Sequence, residues 1–107
     1  MNLIKLNQEI YLIITTEADQ NKASKLANVL LREKLIPCVN FKNIESLFWW
    51  EGNINQSEEV QLMIKCKEEN VNMVCKKISE WHSYDVPEII CFRVSANKSY
   101  HQWVNSI

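Results

Sequence analysis

Glycine occurs once and proline twice in the 107 residues, so the chain has no flexible linker, no low-complexity tract and no glycine-rich loop to cradle a phosphate. Nucleotide binding through a P-loop or a Rossmann fingerprint is excluded on that ground. Basic residues are in no excess either. Twelve Lys and Arg stand against thirteen Asp and Glu, a formal charge of −1, and no field favours a nucleic-acid backbone or an anionic membrane. The expectation is no nucleic-acid partner and no membrane partner. No run approaches 18 uninterrupted apolar residues, and Met1 to Lys5 does not open a signal peptide. A cytoplasmic protein is expected. The four cysteines, Cys38, Cys66, Cys75 and Cys91, are 28, 9 and 16 residues apart, with no C-x-x-C pair, so reduced thiols are the default.

What is present suffices for one hydrophobic core: 47% of the residues are hydrophobic, and two domains would each be too small. The reading is one domain over residues 1–107, with 1–8 as an N-terminal extension. Ile10 to Thr16 is short, β-branched and apolar on both faces, the pattern of a buried strand. Ala23, Leu26, Ala27, Leu30 and Leu31 then form the stripe of an amphipathic helix capped by Thr16 or Asp19 and ending before Pro37. Two extended arms follow, about Ile36 to Glu51 and Asn53 to Cys66, joined by a hairpin turn placed at Gly52-Asn53. In the returning arm Val60, Leu62, Ile64 and Cys66 make one wholly apolar face.

Val71, Val74, Cys75, Ile78 and His82 repeat at helical spacing behind a Glu69 or Asn70 cap. Glu88 to Ser95 reads as a fourth strand, and an Asn97-capped helix carries Tyr100, Trp103, Val104 and Ile107. The order β-α-β-β-α-β with a C-terminal helix predicts an α+β, ferredoxin-like sandwich with both main helices on one face of an antiparallel sheet. The opposite face is expected to lie bare, with Met63, Ile89 and Cys91 among its apolar residues. Such a face, and hairpin arms much longer than the usual 5–6 residues, predict packing against other subunits. Trp49 and Trp50, being consecutive, point to opposite faces of the hairpin, and at least one is expected at an interface.

The stretch Ser46-Leu47-Phe48-Trp49-Trp50-Glu51-Gly52, followed by Glu59 and Lys65, resembles the hairpin signature of the CutA divalent-cation tolerance proteins. Cys38-Val39-Asn40, His82-Ser83-Tyr84, Pro87-Glu88 and Tyr100 with Trp103 agree in order, so the likeness covers roughly residues 9 to 107. The resemblance implies the ferredoxin-like fold, a homotrimer with hairpins packed on neighbouring subunits, and tolerance of copper and other divalent metals. Two positions depart from it. Ser83 replaces a proline, which is expected to loosen a turn, and Thr15 stands where some bacterial members carry a cysteine proposed to bind metal.

A weakly held Cu2+ or other divalent ion, essential to nothing, calls for thiolate and imidazole, and Cys38 and His82 lie at family-matching positions. His82 equally suits the end of a helix, while Cys66, Cys75 and Cys91 fit packing. Trp50, Glu59, Lys65, Tyr84 and Glu88 form a second candidate set. Glu59 and Lys65 share one face of a strand about 20 Å apart, so in a trimer each is expected to meet Tyr84 or Glu88 of a neighbour, in an intersubunit network or a polar cleft. The cleft version describes a small-molecule sensor similar to the trimeric PII-type signalling proteins. No enzyme is expected. Acylphosphatases share the element order but need a phosphate loop with Arg, and Thr15-Thr16-Glu17-Ala18-Asp19 is acidic there.

Overall fold

A computed structural model describes residues 4–107, so the first three residues of the expected 1–8 extension lie outside the described residues. The elements run β1 (Gln8–Glu17), α1 (Gln20–Arg32), β2 (Cys38–Trp50), β3 (Asn53–Cys66), a 3-10 turn (Glu68–Asn70), α2 (Val71–Trp81), β4 (Ile90–Ala96) and α3 (Lys98–Asn105). All strand pairs are antiparallel in the order β2-β3-β1-β4, the ferredoxin-like sheet expected from the sequence.

Helix α1 starts where Asp19 caps it, its carboxylate accepting from the backbone N–H of Lys22 at 2.8 Å. It ends before Pro37 exerts any effect. Lys34 takes a left-handed φ of 56°, and the N–H groups of Lys34 and Leu35 turn back to the carbonyls of Leu31 and Leu30. This is a Schellman stop with lysine in the place usually held by glycine.

The hairpin turn sits one residue earlier than expected. Trp50 pairs with Asn53, and the two loop residues are Glu51 and Gly52, with φ of 51° and 79°. A type I′ turn needs positive φ at both loop positions and favours Gly at the second, which draws Glu51 into the first. Asn55 closes the tip by donating to the carbonyls of Trp50 and Asn53 at 3.3 and 3.1 Å.

One core lies between the sheet and helices α1 and α2, where Ile13, Leu62 and Ile64 meet Leu26, Leu30, Val74 and Ile78. A smaller one lies on the other face, where α3 sets Val104 and Tyr100 against Ile10, Val94 and Ala96. The second face is therefore covered at one end rather than bare. Its apolar membership also differs from expectation. Ile13 pairs with Cys91, and paired residues share a face, so Cys91 belongs to the helix side, and Ile89 packs into the helix-side core. Ile90 and Phe92 occupy the open face instead, 44% and 45% exposed, together with Met63, which pairs with Ile14.

The last β1–β3 pair is Glu17 with Val60, so residues 53–59 run on beyond β1 for roughly 20 Å. The projecting hairpin stretches the molecule to 52 × 33 × 21 Å.

Candidate functional site

Beyond the end of β1 the chain leaving α2 crosses from the helix side toward β3, and residues far apart in sequence meet there. The carboxylate of Glu17 is 1% exposed. It accepts from the backbone N–H of Ala18 at 3.1 Å, from the N–H of Ser83 at 3.0 Å and from the Ser83 hydroxyl. Several donors on one carboxylate are what allow it to be buried without a cation. Ser83, expected to loosen the turn, ties it down.

His82 is not part of α2. It is the residue that caps the helix end, in extended conformation, and its side chain is fully buried. Its Nε2 lies 2.8 Å from the carbonyl of Thr16 and its Nδ1 accepts from the backbone N–H of Tyr84 at 3.0 Å. Nε2 therefore carries the proton and the ring is neutral. The 3.7 Å approach of Nδ1 to Glu17 is accordingly no ion pair. With both nitrogens engaged, His82 has no lone pair to give a metal.

Tyr84 continues the chain of contacts by donating its phenol to Glu59 Oε2 at 2.6 Å. Burial, then this hydrogen bond and the charge of Glu59, push the phenol well above its ordinary pKa. Glu88 Oε2 accepts from the hydroxyl of Thr16 at 3.5 Å. Trp50, Glu59, Tyr84 and Glu88 thus line one cleft of about 940 Å³ between the hairpin and the 83–88 loop. They meet within one subunit, where the sequence suggested that neighbours would bring them together. Lys65 is not among them.

Lys65 lies at the other end of β3, with its Nζ 4.0 Å from Cys38 Sγ. Tyr100 is close to the same thiol, and its own phenol is raised by burial and then by Cys38. Cys38 shares a row of the sheet with Lys65 and Leu12, whereas His82 is held against Thr16, four residues further along β1. That offset alone is about 13 Å, so the expected Cys38–His82 pair is not formed within the chain. Among the described residues no three His, Cys, Asp or Glu side chains converge to hold a metal ion. A thiolate–imidazole copper centre therefore does not fit a single subunit.

Of the remaining cysteines, Cys66 lies in the helix-side core and Cys75 packs against it, whereas Cys91, also expected to pack, is exposed. Cys66 is completely buried, and burial, with Cys91 and Cys75 nearby, pushes its thiol up to about 12. Sequence reasoning missed Glu17, Ser83, Phe48 and Asp85. Glu17 and Ser83 are 66 positions apart, and neither carries a local signal of its partner.

The fold and this site define a ferredoxin-like α+β protein whose long hairpin and post-α2 loop border an open cleft with acidic and aromatic residues on its walls. The family model of the CutA1 divalent ion tolerance protein matches residues 11–107, and the chain belongs to that family. The divalent-cation tolerance protein CutA of Pyrococcus horikoshii is 36% identical over 94 residues, 87% of this chain and 92% of that protein. The chloroplastic protein CutA 1 of Oryza sativa is 32% identical over 88% of this chain and 54% of its own length. The crystal structure of the divalent ion tolerance protein CutA1 of Ehrlichia chaffeensis superposes with a TM-score of 0.87 at 36% identity, covering 91% of this chain and 92% of that one. Among the described residues no helix is long and apolar enough to cross a membrane.

Proposed function

We propose that this protein is a cytoplasmic, homotrimeric divalent-cation tolerance protein that holds copper or another divalent ion weakly, or serves as a rigid scaffold, and catalyses no reaction. The observation that carries the reading is the projecting hairpin. Leu47, Trp49 and Ile54 are 73%, 71% and 66% exposed on it, and Ile90 and Phe92 add to the apolar area left uncovered in one subunit. Apolar surface of this kind is the mark of subunit packing. The tolerance role is carried over from the related divalent-cation tolerance proteins. Within this reading Cys38 is the soft donor, because both nitrogens of His82 are engaged.

That no reaction is catalysed draws support from the arrangement of Ser83, His82 and Glu17. Ser83 directs its hydroxyl to Glu17 rather than to His82, and the acceptor nitrogen of His82 is already used by Tyr84. A nucleophile needs that nitrogen as its base. Light scattering is expected to give three times the 12.6 kDa chain mass. Copper titration is expected to weaken in Cys38→Ala and not in His82→Gln. A monomer, or equal affinity in both variants, overturns the assembly or the site.

A second reading, a small-molecule sensor, is favoured by the cleft itself, with Trp50, Glu59, Tyr84 and Glu88 on its walls. A thermal-shift screen of metabolites tests it, and no response from any class counts it out.

A further inference from the structure

We propose that the cleft between the hairpin and the 83–88 loop binds a linear organic polyamine, an inference that rests on the small-molecule reading and names its ligand class. The sign of the charge decides first. Glu45, Glu59, Asp85 and Glu88 line the cleft, and no Lys, Arg or His is among its lining residues. A nucleotide or other anionic metabolite would meet only repulsion there. A cation is attracted.

The kind of cation follows from how the carboxylates are placed. A divalent metal takes several oxygens converging at 2.0–2.6 Å. Among the described residues no three acidic, His or Cys side chains converge in that way. Negative charge spread along a cleft is matched instead by ammonium groups spaced along a chain. Glu59 is already positioned for this, since Tyr84 holds its Oε2 at 2.6 Å and Oε1 is the remaining acceptor.

The third consideration is the apolar wall. Phe48 and Trp50 are two apart on β2 and so share the face turned to the cleft, while Trp49 points to the other side. Within one subunit Phe48 and Trp50 are 40% and 54% exposed. An aromatic face attracts an ammonium and also packs against methylene groups, and a polyamine alternates these two parts. A volume of about 940 Å³ leaves room for such a chain.

The test is calorimetric titration of the full chain, in its native assembly, with spermidine, with Mg2+ at matched ionic strength and with ATP. Saturable spermidine binding that weakens as salt rises is expected, with quenching of tryptophan fluorescence lost in Trp50→Phe. Glu59→Gln and Glu88→Gln are each expected to cost about tenfold in affinity, while Glu69→Gln, outside the cleft, leaves it unchanged. Asp85→Asn serves as a further cleft variant, and light scattering on the same samples shows that the assembly is intact. Spermidine affinity unaltered by Glu59→Gln with Glu88→Gln overturns the inference, as does Mg2+ binding as tightly as spermidine. If ATP binds the cleft and spermidine does not, the small-molecule reading stands and the polyamine falls. If no probe binds, the polyamine falls, and the metabolite screen decides the small-molecule reading.

Discussion

Ser83 donates to Glu17 twice, from its backbone N–H at 3.0 Å to Oε2 and from its hydroxyl to Oε1. A proline at this position, as the resemblance implies for the family, can make neither bond. In this chain the pair anchors the segment that carries His82 and Tyr84 over the end of β1. Ser83→Ala is expected to lower stability by about 1–2 kcal/mol, and Ser83→Pro by more, because a buried carboxylate is left short of donors. Urea denaturation measures both. A Ser83→Pro variant as stable as the parent would show that the bonds add nothing to stability.

Thr15 presents the opposite case. Its residue is fully buried among apolar neighbours of the helix-side core, and its hydroxyl has no partner. Thr15→Val removes an unsatisfied polar group at almost constant shape and is expected to stabilise the fold by about 1 kcal/mol. A lower denaturation midpoint in the variant would mean that the hydroxyl does find a partner.

The Schellman stop of α1 places Lys34 at φ 56°. A side chain there crowds the backbone where glycine would not, so Lys34→Gly is expected to raise the melting temperature, with a gain of up to about 1 kcal/mol. The same change in the middle of α1, at exposed Lys25, is expected to cost about as much. Comparing the two by thermal denaturation isolates the effect of φ from that of composition.

Alkaline stability follows from Cys66. In the unfolded chain this thiol loses its proton near pH 9.0, while in the folded chain it keeps it up to about 12. Between those values the folded state binds more protons, so stability is complete below pH 9 and declines as pH rises toward 12. Tyr84, also raised above its ordinary 10.0, adds a loss of the same sign above pH 10. Denaturation midpoints followed from pH 8 to 12 are expected to fall, less steeply in Cys66→Val. Equal slopes would remove Cys66 as the cause.

The legibility of this protein in its sequence varied with the range of the interaction. The C-terminal half of β3 is readable because Val60, Leu62, Ile64 and Cys66 alternate with Gln61, Met63 and Lys65, and burial follows the same alternation. The turn was misplaced by one residue because both Glu51-Gly52 and Gly52-Asn53 put glycine in the loop, and only strand pairing distinguishes them. Alternation along β4 carries no absolute phase, so the pattern alone does not show which face Ile89 and Cys91 take, and only the pairing of Cys91 with Ile13 turns them to the helix side.

The candidate site was readable as a set of residues and not as an arrangement. Trp50, Glu59, Tyr84 and Glu88 do share a cleft, yet Lys65 is elsewhere, and Glu17 and Ser83 gave no sign of one another. Local periodicity and turn chemistry depend on neighbouring residues, so the sequence alone determined the element order, the helix faces and the ferredoxin-like class. Which lone pairs remain available depends on groups brought together across 66 positions, and that was decided only by the tertiary structure. His82 is the clearest case: its sequence context suits a metal ligand or a helix end, and the folded chain engages both of its nitrogens in holding the segment that closes the cleft.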